Sequence, residues 1–235
     1  MKVTACFGIT FLMIAFCSCS SIRRTSKYQL SDGYYKSKLF DVKKSTVYID
    51  NSEDTIAIYP TLNKNIDTSK HSKQIFTQLA YTVDSKSKSF NRTSFDIDFL
   101  TIPFKYRLSR QGFPRQFNTN LNGAIYLGYR NDVYHLRYEK TPLKNYQRYI
   151  QHYGISFGFF TGLGGTTINP SVTNSQLNSE YDGVVWSKGI AGIFAINSFT
   201  IGLAIGSDVL LDSNKKIWLY QRKAWIGLAF GLNLN

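Results

Sequence analysis

Four segments of the chain alternate large apolar residues with glycine and other small or polar residues. In the last, Ile226, Leu228, Phe230, Leu232 and Leu234 alternate with Trp225, Gly227, Ala229, Gly231 and Asn233. Phe199–Val209 opposes Phe199, Ile201, Leu203, Ile205 and Val209 to Thr200, Gly202, Ala204, Gly206 and Asp208. Tyr149–Leu163 and Phe117–Tyr129 repeat the arrangement, with His152, Gly154, Ser156, Gly158 and Gly162 opposite the apolar face of the first, and Asn118, Asn120, Asn122, Ala124, Tyr126 and Gly128 opposite that of the second. Period two is the strand period. In a soluble sandwich the large residues face inward and the opposite face is mostly charged. Here that opposite face is small, which suits a narrow barrel interior, with the large face turned to lipid.

The expected fold is therefore all-β: a small antiparallel up-and-down barrel of about eight strands over residues 74–235. Candidate strands are 74–84, 94–108, 117–131, 132–140, 146–165, 184–197, 198–210 and 216–235. Residues 117–140 also read as one long strand, with the earlier hairpin supplying another. The gap from Thr166 to Gly183 is the expected outer loop. Ahead of the barrel, residues 19–73 read as a polar tether with one short hairpin. There Thr46–Asp50 and Thr55–Tyr59 flank an Asn-Ser-Glu-Asp turn, and Pro60 ends the pattern.

Residues 1–18 read as a signal peptide. Lys2 precedes an apolar run from Ala5 to Phe16, too short for a permanent membrane helix, and small residues surround Cys19. Cys19 follows Ser18 and fits a lipoprotein processing site, because lipidation needs a cysteine at the first mature position behind a small residue. Cys17, behind Phe16, does not fit. All three cysteines lie in the first 19 residues, so the mature chain has no intramolecular disulfide and no thiolate metal site. The expected location is the bacterial outer membrane, lipid-anchored, integral or both.

The formal charge of +13 comes from cations scattered through linkers and strand ends, without an arginine-rich helix or an RNA-binding motif. That distribution suits a solvated surface, or anionic headgroups and lipopolysaccharide phosphates at a barrel rim, rather than nucleic acid. The lipobox-like start, Leu100–Arg107, Tyr126–Arg130 and the ending Trp225–Asn235 resemble uncharacterised outer-membrane β-barrel proteins of Bacteroidota. The resemblance spans roughly residues 94–235 and carries over no functional residues. The final Asn235 departs from the aromatic terminus common in such barrels.

Little in the chain suggests catalysis, and no cofactor or metal site is expected. His152 and Ser156 share an inward face, the raw material of a lipid acyl hydrolase, but four strand residues separate them by roughly 13 Å. Asp96 and Asp98 share a face without the rest of a calcium loop, so pairing with lumenal Arg or Lys is expected. Gly162-Leu163-Gly164-Gly165 lacks the Lys-Ser/Thr of a phosphate loop. The leading expectation is a barrel of structural or binding role, with no protein partner named. The alternatives are a membrane-tethered lipocalin-like barrel that holds an apolar ligand, with Phe157, Phe159, Leu203 and Leu228 inward, and the acyl hydrolase. Replacing Cys19 with Ala should abolish acylation and release of the signal segment. Fatty-acid labelling and fractionation of the variant check this, and wild-type labelling would exclude Cys19 as the anchor.

Overall fold

The computed structural model describes residues 30–40, 44–52, 54–62, 65–68, 73–82, 86–110, 112–197 and 199–233, so the signal segment, Cys19 and His71 lie outside the described residues. The described chain is all-β, with two short 3-10 turns at Pro170–Thr173 and Ser213–Lys216. Its strands are β1 (Gly33–Ser37), β2 (Ser45–Asn51), β3 (Thr55–Leu62), β4 (Asn65–Ile66), β5 (Gln74–Thr77), β6 (Leu79–Ala80) and β7 (Lys88–Arg107). The rest are β8 (Gln116–Asn118), β9 (Asn122–Lys140), β10 (Tyr146–Ile168), β11 (Tyr181–Ile196), β12 (Phe199–Leu210) and β13 (Ala224–Asn233). All pairings are antiparallel.

Six long strands close on themselves in the order β7–β9–β10–β11–β12–β13, and β13 pairs back onto β7. Following hydrogen-bonded partners from Asp96 through Gly128, Gly158, Ala191, Ala204 and Gly227 returns the path to β7 at Lys105, well along the strand from its start. That stagger requires the strands to tilt around the ring. The ring has six strands, not the expected eight, for two reasons. Residues 122–140 form one strand, as the alternative reading has it, because Asn131 and Asp132 stay extended despite their turn preference, paired to Thr93 and Arg92 on β7 and to Ile155 and Gly154 on β10. Residues 74–80 are too short to cross the ring and pair elsewhere.

Those residues close a second circuit. β7, β9 and β10 run past the six-strand ring, and β1, β2 and β3 continue the sheet from the start of β7. β5 then pairs with β3 while β6 pairs with β10. Gln78 bridges the two edges: its N–H donates to the Asp54 carbonyl at 2.7 Å, and its carbonyl accepts from Arg148 N–H at 2.9 Å. The side chains inside this circuit form one apolar cluster, with Tyr35 from β1, Ile49 from β2, Ile58 from β3, Phe90 from β7 and Leu136 from β9. Within the span read as a tether with one hairpin, β1, β2 and β3 thus form three walls of this second core.

The turns at this end are tight. Lys144 and Asn197 take left-handed backbone angles, with φ of 62° and 50°. The Asn197 side chain accepts from His152 N–H at 3.0 Å, which ties the β11–β12 turn to β10. At the opposite end three longer connections, 108–121, 169–180 and 211–223, fold over the ring mouth. Ile168, Val172, Val185, Leu210, Trp218 and Tyr220 form a third apolar cluster there, and Leu219 N–H donates to the Val172 carbonyl at 3.0 Å.

The glycines explain how so narrow a ring closes. A Cβ on Gly158 would stand 2.2 Å from the Leu127 carbonyl oxygen, and one on Gly162 would stand 2.0 Å from that of Gly123. Both contacts are with backbone, so a neighbouring strand would have to move. Gly206 makes room for rings, since its Cβ would meet Trp225 at 2.6 Å and Phe160 at 2.8 Å. Gly158→Ala is expected to cost about 3 kcal/mol, the upper part of the overpacking range. The check is denaturant unfolding of the reconstituted protein, and a loss below about 0.5 kcal/mol would contradict this account of closure.

Candidate membrane interface and sealed interior

The interior of the six-strand ring is filled in layers. Towards the loop end, Lys105 and Arg107 converge on one carboxylate. Lys105 Nζ donates to Asp208 Oδ1 at 2.9 Å, Ser187 Oγ at 2.9 Å and Asn122 Oδ1 at 2.8 Å. Arg107 Nη2 donates to Asp208 Oδ2 at 2.7 Å and Nη1 to Thr166 Oγ1 at 3.0 Å. Trp225 Nε1 donates to Asp208 Oδ1 at 2.8 Å, and the indole also underlies the Lys105 ammonium at 4.6 Å. Arg107 itself lies against Trp218 and Tyr220, at 5.2 and 5.3 Å from the ring centroids. In the β12–β13 loop, burial pushes the Tyr220 hydroxyl above the usual phenol range, with Arg107 opposing, so the ring faces the guanidinium in its neutral form.

A middle layer of Leu100, Ile102, Ala124, Tyr126, Phe160 and Ile193 is apolar. Beneath it Arg130 Nε donates to Asp132 Oδ1 at 2.8 Å, and His152 Nε2 stands 2.7 Å from the same oxygen. The His152 ring stacks on Tyr134 at 4.7 Å between centroids. Asp96 and Asp98 are buried in this layer and act electrostatically on Arg130. Among the described residues no group of three His, Cys, Asp or Glu side chains is arranged to hold a metal ion.

His152 and Ser156 face the interior on β10 and are buried, but each is committed to another partner. Ser156 Oγ shares a hydrogen bond of 2.8 Å with Tyr126 OH, and His152 Nε2 contacts Asp132. The second core packs at one end of the ring and the loop cluster at the other. Gly162-Leu163-Gly164-Gly165 lies within β10 and opens no loop or helix.

The outside of the ring carries the large apolar side chains. Phe157, Phe159, Leu203 and Leu228 are 60%, 70%, 62% and 37% exposed. Ile97, Phe99, Ile125, Leu127, Ile190 and Phe194 are also exposed, so the apolar face runs around all six strands. Along β9 the belt ends between Tyr129 and the exposed Asn131. Beyond that level the outer face of the second circuit is mixed: Lys36, Asp50, Thr77, Thr93, Arg137 and Glu139 are exposed, interspersed with Tyr34, Ile75 and Leu79. At the opposite edge Thr161, Lys188 and Ser207 are paired in one row across β10, β11 and β12. No helix among the described residues is long and apolar enough to cross a membrane, which leaves crossing by strands untouched.

Sequence reasoning places the two faces of the ring correctly but misses the charge cluster of Lys105, Arg107 and Asp208. The available signal is phase: Lys105 and Arg107 share the inward phase with Ile102 across a bulge in the β13 pairing, and Asp208 shares it with Gly206. Two cations share a single acid here. Asp208→Asn should therefore cost about 3–5 kcal/mol by leaving buried positive charge unpaired. Lys105→Met leaves the Arg107–Asp208 pair one to one and should cost less than about 1.5 kcal/mol. Unfolding followed by tryptophan fluorescence checks both, and equal losses would contradict the two-to-one arrangement. Compared with family models, with curated proteins and with solved structures, the chain shows no match.

Proposed function

We propose that the six-strand ring is a membrane-embedded β-barrel of the bacterial outer membrane, held there in a structural or lipid-contacting role without catalysis. The observation that carries this reading is the continuous apolar belt on the outside of a ring whose inside is filled with charge and glycine. Water on the outside would leave that belt far larger than the few hundred Å² that soluble monomers expose. In a bilayer the same arrangement satisfies every backbone group through strand pairing and every large apolar side chain through lipid.

Each strand crosses the belt with about eight residues, roughly 26 Å along the strand and about 18 Å in height at a tilt of about 45°. The outward Leu163, Val184 and Trp186 lie above the Lys188 row and extend the belt towards the apolar band of about 25 Å found on such barrels. The short connections after β9 and β11 lie on the side of the second circuit, and the three long ones lie on the other. Barrels of this class have short periplasmic turns and longer outer loops. The second circuit would thus be periplasmic, and the chain leading to Cys19 leaves from it. A lipid anchor at Cys19 would then supplement the barrel, and the likeness to Bacteroidota outer-membrane barrels is consistent with this location.

The lipocalin-like alternative needs Phe157, Phe159, Leu203 and Leu228 inside, and the exposure of all four counts against it. An acyl hydrolase needs access to His152 and Ser156, which are buried. A conducting pore is opposed by the filled interior and the packed loops. A test is to place charge on each surface. Leu203→Arg in the belt should cost about 2–4 kcal/mol of folding into lipid bilayers. Thr93→Arg on the second circuit should change it by less than about 0.5 kcal/mol. Equal effects would remove the basis for a lipid-facing belt.

A further inference from the structure

The belt's outward side chains lie in cross-strand rows, and one row is interrupted. Phe157, Gly192, Leu203 and Leu228 are partners across β10 to β13, so a glycine separates large side chains. Ile190 and Phe194 flank it along β11, and the gap is a cleft of about 640 Å³. That volume falls in the range of about 300–1,000 Å³ typical of ligand clefts. Gly192 is unlike the inward glycines. A Cβ at Gly189 would stand 2.1 Å from the Ile205 carbonyl oxygen, whereas a Cβ at Gly192 would meet nothing within 4 Å. Ring closure therefore does not demand glycine at 192. Its effect is to keep the cleft open.

One outward step along β11 from Ile190 stands Lys188, in register with Thr161 and Ser207. From Lys188 to Ile196 it is the one charged outward side chain of β11, and the next towards the loops is Asp182, which accepts from Thr167 Oγ1 at 3.1 Å. Its Nζ lies 4.6 Å from the Trp186 ring centroid, and Trp186 Nε1 donates to Thr161 Oγ1 at 2.8 Å. Lysine and tryptophan together mark the headgroup level of a membrane protein. The cleft thus runs from mid-belt towards a cation flanked by two hydroxyls.

We propose that this is a binding site for one anionic lipid, with an acyl chain in the cleft over Gly192 and the headgroup phosphate on Lys188. The inference rests on the membrane reading and deepens it. Charge complementarity selects the occupant. An apolar cleft alone takes any hydrocarbon, whereas a single cation at its headgroup end favours a net negative lipid. A second copy of this face would bring Lys188 against another apolar belt with no counter-charge.

The test is native mass spectrometry of the full chain in detergent micelles, titrated with phosphatidylglycerol or phosphatidylcholine. Wild type should retain phosphatidylglycerol several-fold better than phosphatidylcholine. Lys188→Gln should reduce that preference about fivefold, the weight of one cation at headgroup level. Gly192→Phe should reduce retention of both lipids about tenfold by filling the cleft. Gel mobility before and after heating checks folding in each sample, and the exposed Lys188→Gln keeps the test decisive if Gly192→Phe misfolds. Wild-type lipid retention by either folded variant would overturn the proposal. If the chain does not sediment with membranes, the membrane reading fails and this site with it. If it sediments but shows no preference between the lipids, this proposal alone fails.

Discussion

The pairing of β13 with β7 closes a ring of only six strands, and that closure sets the terms for the rest of the molecule. Eight strands leave an interior just wide enough for side chains, so six leave less. Inward positions must therefore alternate between almost nothing and one large group. Gly158, Gly162, Gly189 and Gly206 provide the nothing, each standing where a Cβ would strike a neighbouring strand or ring. Tyr126, Phe160 and Trp225 use the space so released. The large apolar residues that a soluble domain would place in its core have no room inside, and they cover the outside instead.

The same constraint explains the buried charge. The ionic groups inside the ring are buried, so each has to find its partners among neighbouring strands. Asp208 does so by accepting from Lys105, Arg107, Ser187 and Trp225, which joins β7, β11, β12 and β13 through one carboxylate. Asp132 likewise takes Arg130 from its own strand and His152 from β10. These contacts lie inside the ring and bind its walls together.

Much of the ring was legible because a period of two needs no knowledge of distant partners. Gly154, Gly158 and Gly162 on one phase of β10, with Ile155, Phe157 and Phe159 on the other, assign the two faces before any pairing is known. The second circuit was not legible in this way. Its core draws Tyr35, Val47 and Ile56 from short strands and the rest from Phe90, Tyr134 and Leu136 on the far ends of ring strands. No one of its segments holds enough apolar residues to announce a core, so residues 19–73 read as a tether with one short hairpin. The lipid cleft was hidden for a related reason. Phase alone puts Gly192 outward with Ile190 and Phe194, but only the register shows that it lies between Phe157 and Leu203.

The central claim is that the large face of the ring meets lipid. Its most direct test is a nitroxide scan of the outward positions of β10, residues 151, 153, 155, 157, 159, 161 and 163, in lipid vesicles, comparing accessibility to oxygen with accessibility to a water-soluble nickel chelate. High oxygen and low nickel accessibility are predicted at 155, 157 and 159, with nickel accessibility rising towards 151. Nickel accessibility at 157 and 159 equal to that at 151 would place the belt in water and contradict it.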